Sequence, residues 1–184
     1  MYYCSIESKL KIVKNKIMKK LTLVLVIFPM ISLAQSLDSN EIIQILTAHN
    51  KYRLDLGLSE LAWSKDLADS SQKWANKLIS SNAFKHSNTE NGENLYMITG
   101  RSATPAEVVD NWASEKKYFN YKTRKCIRNC CDFDDCCKHK CGHYTQIIWR
   151  DTKEVGCAIS KLGTKQIWVC QYNPAGNYVG EKTY

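Results

Sequence analysis

Apolar residues recur along this chain with two different periods, and the change of period separates a helical half from a stranded one. Asp38-Ser39-Asn40 supplies a helix N-cap, after which Ile42, Ile43, Leu46 and His49 recur at helical spacing, with Arg53 further on. A second helix is predicted over residues 65–79. Leu67, Ser71, Trp74 and Leu78 mark its inward stripe, with small Ala68 and Ala75 beside it. Residues 80–91 are polar and read as a loop. Thr104-Pro105-Ala106-Glu107 then puts a capping hydroxyl, a proline at the first helical position and a capping-box glutamate in order, which opens a third helix. Its apolar stripe is Val108, Val109, Trp112 and Phe119. A short helix is expected over residues 144–148. Beyond it the period drops to two: residues 154–160 and 166–172 alternate as strands joined by a turn at Leu162-Gly163-Thr164. Three or four helices and a few antiparallel strands, with no repeat or low-complexity linker, predict one α+β layered domain.

The start of the chain does not share this patterning. Met18-Lys19-Lys20 is a basic leader, residues 21–31 are an apolar run interrupted by Pro29, and Ser32-Leu33-Ala34 is a small-x-small cleavage site. The run is too short to span a bilayer and reads as a secretory signal peptide, cleaved after Ala34. Residues 1–34 are thus an N-terminal extension with signal peptide, translation starting at Met1 or at Met18, and residues 38–184 are the folded domain. Cleavage leaves 150 of the 184 residues, enough for one domain with a core. It also removes six of 26 basic residues and one of 18 acids, so the net charge falls from +8 to +3. The apparent basicity belongs largely to targeting, and it gives no reason to expect nucleic-acid binding. The expected location is outside the cell, by secretion or in a periplasm, with no stable membrane anchor after cleavage and with the protein a monomer. Eight of the nine cysteines remain, an even number, as expected for disulfides in an exported chain.

Two segments carry the most specific signal. Cys141-Gly142-His143-Tyr144-Thr145-Gln146-Ile147-Ile148-Trp149 is followed by Val169-Cys170-Gln171-Tyr172-Asn173-Pro174-Ala175-Gly176-Asn177-Tyr178. Together they resemble the paired signatures of the CAP superfamily, the cysteine-rich secretory, antigen 5 and pathogenesis-related proteins. The resemblance extends upstream through Ala48-His49-Asn50-Lys51-Tyr52-Arg53, Leu61-Ala62-Trp63-Ser64-Lys65-Asp66-Leu67, His86-Ser87 with Gly92-Glu93-Asn94-Leu95, and Trp112 with Glu115. It covers the chain from about Asn40 onward. The ending Gly176-Asn177-Tyr178-Val179-Gly180-Glu181 is most similar to the plant pathogenesis-related branch. The resemblance implies a disulfide-stabilised three-layer α-β-α sandwich around a small central antiparallel sheet. It also implies that Cys157 pairs with Cys170.

His86, Glu93, Glu115 and His143 match the two histidines and two glutamates that line the family's cleft. Imidazole and carboxylate are ligands for zinc and similar metals, and a His–Glu pair also suits proton transfer near neutral pH. The resemblance implies a binding module whose cleft takes a sterol or other lipid, a peptide, or zinc at His86 and His143, with no cofactor required. An alternative is a metal- or His/Glu-dependent hydrolase, peptidase-like, with Glu93 and Glu115 as its catalytic candidates. The sequence has no G-x-S-x-G elbow and no H-E-x-x-H. His49 reads as a core hydrogen-bond partner. Tyr144, Gln146 and Asn177 read as residues that orient the cleft, and the five tryptophans as core.

Cys126-x3-Cys130-Cys131-x4-Cys136-Cys137-x3-Cys141 is where the chain departs from its relatives. The two vicinal pairs read as an insertion. The cysteine that plant members carry before the first histidine is absent from residues 80–85. Six cysteines allow 15 connectivities, so the pairing stays open, with a metal knot including His139 as the rival to disulfides. The loop is acidic at Asp132, Asp134 and Asp135 and basic on its shoulders at Lys122, Arg124, Lys125, Arg128, Lys138 and Lys140, which reads as a solvated face. A third functional reading makes this disulfide-rich loop, residues 126–141, the contact surface of an extracellular interaction protein.

Overall fold

The computed structural model describes residues 36–127 and 141–184. The expected signal peptide, the vicinal cysteines Cys130, Cys131, Cys136 and Cys137, and His139 lie outside the described residues. All described residues belong to one compact unit, Ser32–Tyr184.

Helix α1 (Ser39–Leu54) opens on a complete capping box: Asp38 Oδ1 accepts from Glu41 N at 2.8 Å, and Glu41 Oε2 accepts from Asp38 N at 3.0 Å. Its buried stripe is Ile45, Ala48, His49, Tyr52 and Arg53. The expected stripe at Ile42, Ile43 and Leu46 is displaced, and Ile43 is 60% exposed. The helix turns its face to bury one branched residue, Ile45, together with the polar pair His49 and Arg53. Periodicity of apolar residues alone could not register that choice. Strand β1 (Ala62–Trp63) leads into helix α2 (Lys65–Ser80), capped by Ser64. Strand β2 (Gly92–Ile98) follows the polar loop, and helix α3 (Pro105–Ala113) follows β2. At α3 Thr104 Oγ1 accepts from Glu107 N at 3.2 Å, but the Glu107 carboxylate pairs with Arg101 instead of returning to the cap. The helix also ends earlier than its stripe suggested. Residues Ser114–Tyr118 tighten into a 3₁₀ turn, and Phe119 begins strand β3 (Phe119–Asn120), which pairs with β4 (Lys125–Cys126). Helix α4 (Gly142–Ile147) and the hairpin β5 (Glu154–Leu162) and β6 (Lys165–Asn173) complete the order.

The central sheet has the order β1-β5-β6-β2. β2 runs antiparallel to β6 and β6 to β5, while the two-residue β1 joins β5 in parallel. Because side chains alternate across a strand, the sheet feeds two layers. Val155, Cys157, Ile159, Trp168, Cys170 and Tyr172 enter a core with Ile45, Trp112 and Ile147 from α1, α3 and α4. Ile167, Val169 and Leu95 turn the other way, onto Ala75, Leu78 and Ile79 of α2. The result is the three-layer α-β-α sandwich. Burying each such Leu, Ile or Val contributes about 1.5–3 kcal/mol.

Close approach of α2 depends on Gly156. A β-carbon there would lie 2.5 Å from Ser64 O and closer still to Ala68 N. With no side chain at this position, Ser71 Oγ reaches Gly156 O at 2.8 Å and Gln72 Nε2 reaches Ile159 O at 2.9 Å. Among the described residues two disulfides staple the unit. Cys157 and Cys170 sit opposite each other in the β5–β6 register, Cα atoms 4.0 Å apart. Cys126 and Cys141 are also bonded, with Cα atoms 5.9 Å apart, which fastens β4 to the start of α4.

Candidate functional site

The four expected site residues assemble as two His–Glu pairs of the same construction. Glu115 lies on the 3₁₀ turn after α3, and His143 on the first turn of α4. Glu115 Oε1 is 2.7 Å from His143 Nδ1, while Oε2 accepts from the backbone N–H of His143 at 2.9 Å and of Tyr144 at 3.2 Å. The carboxylate therefore caps α4 and clamps the imidazole at once. Glu93 lies on β2 and His86 on the loop before it. Glu93 Oε1 is 2.8 Å from His86 Nδ1 and accepts from Ser87 N at 2.9 Å, and Oε2 accepts from Gln171 Nε2 at 3.4 Å. Glu93 is almost fully buried, with 4% of its side chain exposed against 63% for His86. Burial pushes the Glu93 carboxyl up, but the His86 and Ser87 hydrogen bonds outweigh it and hold the group below its ordinary value.

A carboxylate only accepts hydrogen bonds, so in each pair the proton sits on Nδ1 and Nε2 is left as the free ring nitrogen. Among the described residues, no side-chain hydrogen bond engages either Nε2. The Trp112 ring lies nearly parallel to the His143 imidazole, with centroids 6.2 Å apart, and further fixes its plane.

Strand β2 connects the pairs. Glu93 turns toward one face of the sheet, and its neighbour Asn94 toward the other. Asn94 Nδ2 donates to His143 O at 3.1 Å and to Tyr172 Oη at 3.1 Å. Tyr172 Oη in turn is 2.9 Å from His49 Nε2, and His49 Nδ1 is 2.8 Å from Ile45 O. Ile45 O can only accept, so His49 carries its proton on Nδ1 and accepts from Tyr172 at Nε2. Burial is the main reason that the His49 pKa falls to about 4; the hydrogen bond to Ile45 opposes the shift and nearby Arg53 adds to it. A buried polar chain thus runs from the middle of α1 to the backbone of His143. His49 is the core hydrogen-bond partner that its place in the stripe suggested.

The supporting residues are equally occupied. Gln146 Oε1 accepts from Gly176 N at 3.0 Å, and its Nε2 donates to Thr152 Oγ1 at 3.2 Å. Gly92 has no room for a β-carbon because Gln146 Oε1 fills the space. Asn177 Nδ2 donates to Gly142 O at 2.9 Å, and Asn177 Oδ1 lies 2.7 Å from Thr145 Oγ1, so the C-terminal segment holds α4 in place. Tyr144 Oη is 3.1 Å from Tyr121 Oη. Three contributors escaped sequence reasoning: Asn94, Tyr172 and Arg53. Fully buried Arg53 donates to the carbonyls of Ser59, Ile147, Trp149 and Thr152 at 2.7–3.1 Å, and to Arg150 O at 3.5 Å. Burial lowers its pKa to about 10. Its position eight residues after Ile45 placed it on the inner face, and that was the available signal.

Among the described residues no group of three or more His, Cys, Asp or Glu converges as a metal site. A shallow apolar groove on the outside of α1, lined by Ile43, Leu46 and Leu54, shares no residue with the His–Glu pairs.

The sequence profile of the cysteine-rich secretory protein family matches residues 46–172. Pathogenesis-related protein 1A of Nicotiana tabacum is 36% identical over 140 residues, spanning 76% of this chain and 78% of its own. Pathogenesis-related protein PR-1 of Medicago truncatula is 35% identical over 143 residues, spanning 77% and 78%. Among solved structures, NaASP2 with Zn2+ superposes with a TM-score of 0.66 at 21% identity, covering 82% of this chain and 87% of that one. Fold, paired motifs and these relatives agree: the chain belongs to the cysteine-rich secretory protein (CAP) family and is of its pathogenesis-related type.

Proposed function

We propose that this protein is a secreted binding module whose ligand site is the surface around the two His–Glu pairs. The observation that carries the reading is the state of the carboxylates. Each glutamate already accepts two or more protein hydrogen bonds beside its histidine, counting the Gln171 amide, so neither is free to take a proton from substrate or water. Such pairs orient imidazoles and present Nε2 to a ligand, so proton transfer here would run through a histidine and not through Glu93 or Glu115. This weighs against the hydrolase alternative with Glu93 and Glu115 as catalytic groups. The loop-contact alternative rests on residues 126–141, of which 128–140 lie outside the described residues.

A sterol or other lipid, or a peptide, is the proposed organic ligand. Half-buried Tyr96 and Ile98 and exposed Met97 on β2 supply apolar surface on the same strand as Glu93. Zinc is the proposed inorganic one. The donor chemistry fits in kind: two imidazoles, each backed by a carboxylate, as metal-bound histidines usually are. His86 and His143 Nε2 would hold the ion, and water or the ligand itself would complete its coordination, since two donors are half of a tetrahedral set. Zinc there would polarise a carbonyl or phosphoryl oxygen of the ligand. Secretion rests on the leader read from residues 18–34 and on the two disulfides.

The test is a panel of sterols, phospholipids and short peptides offered to folded protein lacking residues 1–34. Saturable uptake with no product is expected. A blank panel contradicts the binding reading. Product formation that disappears in Glu115→Gln with folding intact would replace it with the hydrolase.

A further inference from the structure

The segment following Glu115 carries a charge pattern that the His–Glu site does not use. Lys116, Lys117, Lys122, Arg124 and Lys125 fall within ten residues that contain no acid. All five are exposed. The ion pairs found among the described residues join Lys65 to Asp69, Arg101 to Glu107, and the two histidines to their glutamates; none engages this strip. Exposed tyrosines are interleaved with the cations: Tyr118 at 38% and Tyr121 at 47%. Lys117 Nζ stands 5.0 Å from the Tyr118 ring centroid, and Lys116 Nζ 5.5 Å from that of Tyr52. Another long acid-free stretch, residues 70–89, spreads only Lys73, Lys77 and Lys85 over twenty residues, and the net charge without residues 1–34 is only +3.

The strip is also held in shape. β3 and β4 form a hairpin whose turn is fixed by Asn120 Oδ1, which accepts from Lys122 N and Thr123 N, both at 3.0 Å. Arg124 takes a left-handed backbone (φ 57°) and donates to Tyr184 O at 3.1 Å, and Cys126 is bonded to Cys141. A backbone fixed in advance spares the cost of ordering it when a partner arrives.

We propose that residues 116–125 form a docking surface for an acidic polysaccharide, a polymer of sugar rings bearing carboxylate or sulfate groups. The cations run from the 3₁₀ turn into the hairpin and are not gathered round one point, which suits a polymer with repeated charges better than a single phosphate. Tyrosine faces stack on the apolar faces of sugar rings, while lysine and arginine meet the anionic substituents. The strip contains no aliphatic side chain to insert into a bilayer, and its one other ring, Phe119, is buried. The choice of a polysaccharide over a nucleic acid rests on the extracellular reading above.

The experiment measures binding of the folded protein to immobilised polygalacturonate and heparin, with fully methyl-esterified pectin, phosphatidylserine vesicles and single-stranded RNA as comparisons. Two variants remove four charges each: Lys116→Gln/Lys117→Gln/Lys122→Gln/Lys125→Gln on the strip, and Lys65→Gln/Lys73→Gln/Lys77→Gln/Lys165→Gln elsewhere. Binding to a charged polysaccharide that weakens linearly in log salt is expected, with a loss of roughly tenfold or more in the strip variant and little in the control. Equal loss in both variants would mean only net charge matters and would overturn the proposal. So would stronger binding to vesicles or RNA, binding to the neutral ester as tight as to the acid, or no binding at all. Zinc titration of the strip variant separates the two ideas: retained zinc binding with lost polysaccharide binding confines the effect to the strip, and the reverse leaves the His–Glu site in question.

Discussion

Glu115 performs two tasks with one carboxylate, and its neutral amide isostere separates them. Glu115→Gln keeps the shape but puts an NH2 against one of its three donors, so the His143 ring loses its anchor and the α4 cap is weakened. Thermal unfolding is expected to show a loss of about 1–3 kcal/mol. Any metal affinity is expected to fall roughly 10- to 100-fold, the usual effect of removing a carboxylate that holds a metal-binding histidine in place. A variant as stable as the parent would mean that the clamp is dispensable. His49 sets a pH limit. Its folded pKa is about 4 against 6.5 for the unfolded chain, so on acidification the unfolded state takes up the proton first. The stability that neutral His49 contributes is complete above pH 6.5 and is lost as pH falls from 6.5 to about 4, on the order of 3 kcal/mol in all. Glu93, also depressed, adds a further loss at the acidic end of the same limb, because its stabilisation vanishes as pH falls through its folded pKa. Chemical denaturation at a series of pH values should show the slope, and His49→Gln should flatten it between pH 6.5 and 4. An unchanged slope in that variant would remove His49 as its source.

At the scale of elements, single residues decide whether layers meet. Gly156→Ala would drive a methyl group into the first turn of α2, at Ser64 O and Ala68 N, where only backbone stands in the way. The helix must lift off the sheet or the strand must bend, and a destabilisation of about 3 kcal/mol or more is expected in denaturant melts, the upper range for overpacking. Less than 1 kcal/mol would show that α2 can shift freely. Arg53 plays the opposite part by supplying donors to the turn between α4 and β5. Arg53→Met leaves several buried carbonyls unpaired and should cost about 3–5 kcal/mol or prevent folding. Arg53→Lys should recover little of it, because an ammonium cannot reproduce the planar fork that spans five carbonyls. Full rescue by lysine would refute that geometry. These elements also show what the sequence could and could not reveal. The second helix, the β5–β6 hairpin and the cap at Thr104 were legible because their periods and capping residues are local. Strand β2 was not: in Gly92-Glu93-Asn94-Leu95-Tyr96-Met97-Ile98 the two buried residues, Asn94 and Leu95, are neighbours and do not alternate, and its pairing with β6 is long-range. The α1 stripe was misplaced for a related reason, since buried His49 and Arg53 count as polar in any hydrophobic pattern.

Across the whole molecule, the family motifs carried information that spacing did not. His86, Glu93, Glu115 and His143 are spread over 58 residues, and nothing in their separations requires two pairs. The pairing follows from three tertiary facts: the 3₁₀ turn that swings Glu115 toward α4, the burial of Glu93 beneath His86, and the antiparallel β2–β6 contact that brings Gln171 to Glu93. The Cys126–Cys141 bond likewise emerged only once β4 and α4 were adjacent. Fold class was therefore readable by resemblance, which also singled out the four residues, while their geometry, with carboxylates spent on orienting imidazoles, required the structure. That geometry is the centre of the account, and calorimetric titration of zinc tests it most directly. The measurement compares disulfide-intact protein lacking residues 1–34 with its His86→Ala/His143→Ala variant. A saturating heat near one zinc per chain, abolished in the variant, is the predicted result. Identical titrations for the two proteins, or no heat from either, would contradict a site in which both Nε2 atoms serve one ligand.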